Sequence, residues 1–385
     1  MTDADLFDEF FTLAKRGRRL GRLGLPWEVN EAYERYIGRA RAGLESASLS
    51  LPKLPTVYAD FVTNPAFNAF AFKHRDRYFI AFNDGLPVIL TTVIYRMLAD
   101  GRLFPQVGDS AAEATGLPLF RQLRPNAAQL FYANPWAIVP KDRQRQIYAI
   151  HLCHLVFDFL SAHEIAHIAN GHVDYKAAER GIPYVGEVGW LPDTPEGNLE
   201  SQAMELDADS TAARVLVQTV KGLVSSRDRM RPEIAALYKE PAGAMFDVSV
   251  AVSVVFRLFQ DSRMDGVDVS GVSHPPTRWR QMQILNMMGN YVAQGWGGGL
   301  VEQVCAALTK AIADVEEAFE LITGTGQQVQ GLHDAWSGAG WDYAAAISDC
   351  WNSTLRQKVA KYAFIEPNSY HFDRPQPAPS SSDRP

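Results

Sequence analysis

The stretch Ser161–Tyr175, "SAHEIAHIANGHVDY", places three histidines and a glutamate within ten residues of an apolar segment. His163 and His167 are four residues apart, a spacing that puts them one above the other on one face of a helix. Two imidazoles at this spacing can meet one Zn²⁺ ion, and Glu164 can hold and deprotonate a water molecule beside it. Burying these groups without partners would be costly. The stretch therefore predicts a metal-binding helix rather than a core helix that happens to contain histidine.

The metal-binding helix is predicted to run from about Asp142 to Asn170. Gly171 supplies the residue that most easily takes the left-handed conformation past a helix end. His172 follows this stop, and we expect it to point away from the histidine pair and to bind no metal. The rest of the site must come from another part of the chain.

A catalytic zinc site uses three protein ligands and one open position. The missing ligand is predicted in Glu200–Ala213, "ESQAMELDADSTAA", on a second helix. Glu205 would bind the metal, and Asp209, one turn on, would accept the outer N–H of a ligand histidine. A solvated acidic helix start is the alternative interpretation. Glu200 and Glu187 are weaker ligand candidates, because neither has an aspartate one turn later.

The remaining patterns predict an α+β fold that is mainly helical. "FNAFAF", "KHRD" and "RYFIAF", between Val57 and Leu90, predict two strands around a polar turn, in a small antiparallel sheet packed against the metal-binding helix. Helices are predicted at Asp5–Ala14, Trp27–Leu44, Asn198–Gly222, Met245–Asp261 and Leu300–Ile322.

Composition limits the partners and the compartment. The chain of 385 residues has a net charge of −7, which argues against nucleic acid as its main partner. The basic run Lys15–Arg22 is interpreted as a solvated helix face or linker. Cys153, Cys305 and Cys350 are few and far apart, as in a reducing cytosol. We found neither a signal peptide nor an apolar window of about 18 residues, so we expect a soluble cytoplasmic protein with no membrane partner.

Four motifs of the chain resemble segments of a known peptidase family. "HEIAHIANGH" followed by "ELDADSTAA" resembles the gluzincin peptidases of the HtpX-like and CAAX-prenyl-protease family, where HExxH precedes ExxxD on the next helix. "NPAFNAFAF" (Asn64–Phe72) resembles the Asn-Ala-Phe-Ala segment of that family, and "SHPPTRWR" (Ser273–Arg280) resembles its His-Pro-Pro motif. The HExxH helix also resembles that of the soluble Lit-type phage-exclusion peptidases. The four motifs cover roughly residues 57–285.

The resemblance implies a zincin-like core and one Zn²⁺ ion. The ion would be bound by His163, His167 and Glu205, with Glu164 as the general base. The implied organisation is an N-terminal helical region at residues 1–55, a metallopeptidase domain at 56–290, a C-terminal helical region at 291–370 and a disordered tail at 371–385.

The resemblance also implies roles for residues around the metal. Asp209 and Arg280 would support the ligands, and His274 would lie near the reacting groups. His-Pro-Pro is also an ordinary entry to a helix, so His274 is either an active-site donor or a helix cap. Asn68, Ala69 and Phe70, on the strand that precedes the catalytic helix, would border a cleft where an extended peptide adds as a strand.

The expected activity is hydrolysis of protein or peptide substrates by a zinc-activated water. Two alternatives stay open. The chain would instead be a zinc-binding regulatory protein with latent or lost peptidase activity, or a metal-dependent hydrolase of non-peptide amides.

Overall fold

The structure, a computed structural model, describes residues 1–14, 17–21, 25–120, 138–186, 194–238, 240–259, 271–296 and 298–371. The predicted tail, apart from its first residue, lies outside these residues, as do Glu187 and part of the run Lys15–Arg22.

The chain is mainly helical with one small sheet. The N-terminal elements are α1 (Asp3–Ala14), α2 (Trp27–Ser50), β1 (Val57–Val62), β2 (Ala69–His74), β3 (Arg77–Asn83) and α3 (Gly85–Ala99). The central elements are α4 (Arg143–Ala169), α5 (His172–Arg180), β4 (Tyr184–Gly186), α6 (Pro195–Ser225), α7 (Pro232–Ala235) and α8 (Pro241–Leu258). The C-terminal elements are α9 (Thr277–Trp296), α10 (Val301–Thr323), α11 (Val329–Ala335), α12 (Gly338–Cys350) and α13 (Arg356–Val359).

The predicted hairpin is present as β2 and β3. Its two turn residues, Arg75 and Asp76, have φ values of 47° and 61°, as the tight turns that suit the twist of a hairpin require. The prediction of an antiparallel sheet is wrong, because the sheet is mixed. The strand order is β1-β3-β2-β4, and β1 runs parallel to β3. Side-chain alternation reports which face of a strand is buried but not the direction of its neighbour, so the sequence pattern did not contain this information.

The two faces of the sheet pack against different helices. Along β2, Phe70 and Phe72 face α1, whereas Ala69 and Ala71 face the main core. The small alanine side chains allow α4 to pack on this inner face. Six of the nine buried residues in the layer between α1 and the sheet are phenylalanines, namely Phe7, Phe10, Phe11, Phe70, Phe72 and Phe79.

The helix α4 lies at the centre of the main core, where it packs against α2, α3, α6 and α8. It begins where the Asp142 side chain accepts a hydrogen bond from the Arg145 backbone N–H. It ends as predicted at Gly171, which has a φ of 82°. A Cβ atom at Gly171 would lie 2.6 Å from the backbone nitrogen of Ala363, so the close approach of the C-terminal segment also requires glycine. The start and end of α4 therefore fix where the histidine pair lies.

One helix in the described part of the chain, α8, is long and apolar enough to cross a membrane by composition. It begins at Pro241, four residues before the predicted Met245, so its apolar window reaches 18 residues, contrary to the prediction of no such window. Within the structure 78% of the window is buried, as in a core helix.

The same hydrophobic core runs through most of the chain. Its buried residues extend from Tyr33 on α2 to Tyr370 near the C-terminus. The predicted boundaries at residues 55, 290 and 370 stay a prediction.

Candidate metal centre

Three potential metal ligands converge between α4 and α6. His163 and His167 project from α4 and Glu205 from α6, and one ligand atom from each lies within 4.8 Å of the others. The two Nε2 atoms are 2.9 Å apart, and each lies 3.4 Å from a Glu205 carboxylate oxygen. All three residues are 0–1% exposed. The separation of about forty residues between the two motifs is closed by the packing of α4 against α6.

The ring of His163 is oriented by Asp209. Its Nδ1 atom lies 3.0 Å from Asp209 Oδ1. A carboxylate can only accept, so Nδ1 carries the hydrogen and Nε2 presents its lone pair towards Glu205.

The ring of His167 is oriented through a second histidine. Its Nδ1 lies 3.0 Å from Nδ1 of His172, and His172 Nε2 lies 3.1 Å from Asp207 Oδ2. Asp207 faces His172 Nε2 at ion-pair distance, which favours the tautomer with the hydrogen on Nε2. In this tautomer His172 Nδ1 accepts from His167, and His167 Nε2 is left with a lone pair facing the centre. His172 is outside the ligand group, as expected, but the prediction that it points away from the pair is wrong. The Gly171 turn brings it back against His167.

Asp207 is held from two directions. It accepts hydrogen bonds from Asn170 Nδ2 and, at 2.6 Å, from the Tyr370 hydroxyl. The Trp351 ring packs edge-on against His172, with ring centroids 6.1 Å apart. The burial of Tyr370 and its hydrogen bond to Asp207 hold its pKa well above the usual value, so its hydroxyl keeps the hydrogen that it donates. The C-terminal residues therefore form the back of the metal centre.

Arg280 connects the two acidic residues of the centre. It donates two hydrogen bonds of 2.8 Å to Asp209 and lies 3.2 Å from Glu205 Oε2. Its guanidinium also stacks over the Phe256 ring, 5.3 Å from the centroid. One arginine thus fixes both the candidate ligand and the carboxylate that orients His163.

The donor set fits a divalent cation. Two imidazole lone pairs and a carboxylate converge on the same point, and atoms that all accept hydrogen bonds repel one another unless a proton or a cation lies between them. Arg280 neutralises one of the three carboxylates Glu164, Glu205 and Asp209, which leaves a negative charge in a buried site. Two nitrogens and one oxygen are a common set for zinc, and the same donors suit other transition metals.

Two further residues define what the centre can do. Glu164 follows His163 on α4 and is 0% exposed. His274 precedes α9, and its Nε2 lies 3.7 Å from Glu205 Oε1. The His274 side chain is 20% exposed, so solvent reaches the centre on this side. Its Nδ1 lies 3.0 Å from Ser273 Oγ, which orients the ring.

The three residues expected to border a substrate cleft lie in the sheet. Asn68 is 6% exposed and holds its own turn, since Oδ1 accepts from the Ala69 N–H at 3.0 Å. Phe70 is paired with β3 on one side and, through Gly186, with β4 on the other. A peptide therefore cannot pair with β2 over Phe70–Phe72 unless β4 is displaced.

Comparison with known proteins adds no relative. No family model, no curated protein and no solved structure matches this chain.

Proposed function

We propose that the chain is a zinc-dependent endopeptidase with a gluzincin-type, zincin-like core. The observation that carries the proposal is the convergence of His163, His167 and Glu205, with Glu164 next to the first histidine on the same helix. The order of these residues along the chain is that of the gluzincin pattern, HExxH followed by a glutamate on a later helix, here α6.

The chemistry divides between the metal and the protein. Bound zinc would supply a Lewis acid that polarises a carbonyl group and lowers the pKa of water to about 7. Glu164 takes up the proton of the attacking water and returns it to the leaving nitrogen. Its burial excludes competing solvent from this proton transfer. Asp209 and Arg280 keep His163 and Glu205 in place, so that little reorganisation is needed during the reaction.

His274 is the proposed donor to the substrate oxyanion. It lies on the partly exposed side of the centre, within 4 Å of Glu205, where a carbonyl group would enter. An imidazole N–H aimed at a developing negative charge stabilises the transition state. The alternative role as a helix cap is compatible with its position before α9.

The proposed substrates are proteins or peptides, and the proposed compartment is the cytoplasm. Cys153, Cys305 and Cys350 are all unpaired, as a reducing environment would leave them. Because β4 covers one side of Phe70, we place strand addition by a peptide at Asn68 and Ala69, with which the described residues of β4 do not pair.

One observation favours a latent or regulatory zinc protein as the second candidate. Glu164 and Glu205 are 0% and 1% exposed, so a peptide bond reaches Glu164 only after the centre opens. A latent enzyme and an active one share the same donor set and differ in access to it.

Cleavage of a denatured protein substrate separates the candidates. We expect wild-type protein loaded with zinc to cleave casein, and Glu164→Gln to bind zinc equally well but to lose cleavage by at least about a thousandfold, as expected when an essential proton carrier is removed. Equal cleavage by both proteins would show that Glu164 is not the base. No cleavage by either, with one zinc bound, would favour the latent or regulatory candidate.

A further inference from the structure

A second feature lies on the side of α4 that faces away from the metal centre. A half-open cavity of about 490 Å³ is lined there by α2, α4, α6 and Ile365. The α4 residues that line it recur from Asp158 to Ala169 at helical spacing, whereas His163, Glu164 and His167 project from the opposite side of the helix. A ligand in the cavity would therefore not touch the metal ligands.

The shape of the cavity suits a slender apolar chain. Its wall spans 12 residues of α4, about 16 Å at 1.5 Å per residue. Most of the lining residues are small or aliphatic and present apolar surface, among them Ala42, Gly43, Ala47, Ala162, Ile165 and Ala166. An unbranched hydrocarbon chain fits a cavity of this length.

The polar groups of the cavity point to an anionic head group. Arg39 is paired with Asp158, with an Nε–Oδ1 distance of 2.8 Å, so these two charges cancel. Arg214 is exposed and makes no hydrogen bond or ion pair with any residue that the structure describes. The cavity wall therefore carries a net charge of about +1 from Arg214 at pH 7, because a guanidinium is always protonated.

We propose that this cavity binds a single-chain anionic amphiphile, a fatty carboxylate or an alkyl phosphate. The head group is bound by Arg214, whose forked N–H donors match the oxygens of a carboxylate or phosphate. The hydrocarbon chain lies along the small residues of α2 and α4. The site is separate from the proposed metal centre and does not depend on peptidase activity.

The head group is tested by calorimetric titration of the full chain with decanoate, decyl phosphate and decanol, each below its aggregation concentration. We expect both anions to bind the wild type at least about tenfold more tightly than the alcohol, as expected for a charge-assisted hydrogen bond. Arg214→Gln should abolish this preference. Arg41→Gln is the matched control, because Arg41 is an exposed arginine on α2 that does not line the cavity, and it should keep the preference.

The proposed site for the hydrocarbon chain of the ligand is tested with the substitution Gly43→Leu. A Cβ at Gly43 meets only Ile165 Cδ1, at 3.6 Å, so the backbone tolerates the change and the longer side chain extends into the cavity. Leucine also favours a helix over glycine, so the melting temperature should not fall. Binding of all three probes should be lost while one equivalent of zinc is retained.

Three results would overturn the proposal: no anion binding by the wild type, an unchanged preference in Arg214→Gln, or unchanged binding in Gly43→Leu. Sedimentation supplies a further check. A wild-type dimer that dissociates in Gly43→Leu would assign the cavity to a second copy of the chain and would also overturn the proposal. The anion that binds more tightly identifies the head group.

Discussion

At the scale of single residues, Asp207 and Asp209 are two positions apart on α6 and orient different histidines. Asp209 contacts His163 directly, whereas Asp207 acts on His167 through His172. Asp209 favours the His163 tautomer with its hydrogen on Nδ1, and His172 favours the same tautomer of His167, so both Nε2 atoms of the pair keep a lone pair. The histidine pair is therefore prepared for a cation before one binds.

His172→Ala tests the indirect contact. Without His172, the His167 ring loses the acceptor that fixes its tautomer, and zinc affinity should fall by about ten- to a hundredfold. Competition with a chromophoric chelator measures the affinity, and His333→Ala, a change of an exposed histidine, is the control. Wild-type affinity in a folded His172→Ala protein would contradict the relay.

The buried carboxyl of Asp247 makes a separate prediction about pH. Burial raises its pKa to about 7, against the opposing effect of the hydrogen bonds from Tyr148 and Tyr238. Because the folded-state pKa lies above the unfolded value of 3.8, the contribution of Asp247 to the free energy of unfolding is present below about pH 4 and is lost as the pH rises towards 7. Burial lowers the pKa of the nearby His151 to about 3. The contribution of His151 has the opposite dependence, because the protein loses stability as the pH falls below 6.5.

Asp247→Asn removes the pH dependence that comes from Asp247 and keeps the one that comes from His151. The free energy of unfolding of the variant, relative to wild type, should therefore increase as the pH rises from 4 to 7. Urea unfolding in the presence of a chelator measures this difference without a contribution from bound metal. A difference independent of pH would show that Asp247 is already ionised in the folded protein.

At the scale of elements, Arg145 near the start of α4 organises the chain that follows α3. Its guanidinium is fully buried and donates to the backbone carbonyls of Leu98, Asp100, Leu103, Phe104 and Val107. Arg145→Met leaves these carbonyls without their donor and should lower the free energy of unfolding by about 3–5 kcal/mol. Arg143→Met, at an exposed position two residues earlier, should change it by less than about 0.5 kcal/mol. Similar losses in both variants would contradict the role of Arg145.

The turn after α4 offers a matched pair of glycines. Gly171 and Gly181 both have positive φ, but a Cβ at Gly171 would meet the backbone of Ala363, whereas at Gly181 it would meet nothing within 4 Å. Gly181→Ala should lower the free energy of unfolding by only about 1–2 kcal/mol, because alanine is strained in the left-handed conformation. Gly171→Ala should cost clearly more, because the segment around Phe364 must move and its hydrogen bond to Ala169 is lost. Equal costs in thermal unfolding would show that the C-terminal segment yields easily.

The elements also show what the sequence could and could not predict. The helix limits at Asp142 and Gly171 and the β2–β3 hairpin follow from local signals, namely an N-cap, a left-handed glycine and alternating side chains. The parallel pairing of β1 and the strand β4 depend on contacts between distant segments, for which no local signal exists. The contact of His172 with His167 was missed for the same reason, since it depends on the path of the chain after Gly171. The aspartate two positions before Asp209 was the available hint of a second orienting carboxylate.

At the scale of the whole molecule, the metal centre joins distant parts of the chain. It combines α4, α6, the start of α9 and the C-terminal Tyr370. A ligand that binds only the folded state stabilises the whole fold by mass action. Chelation should therefore lower the melting temperature of the wild type by several degrees and leave that of Glu205→Ala unchanged. An equal effect on both proteins would place the stabilising metal elsewhere.

The most direct test of the account is zinc quantification on purified wild type, His163→Ala and Glu205→Ala. Glu200→Ala is the control, because Glu200 is an acid on the same helix as Glu205 and is bound instead to Arg180 and Tyr175. We predict one zinc per chain in the wild type and in Glu200→Ala, and loss of the metal in the other two variants. Full zinc occupancy in a folded Glu205→Ala protein would contradict the assignment of the third ligand and with it the proposed centre.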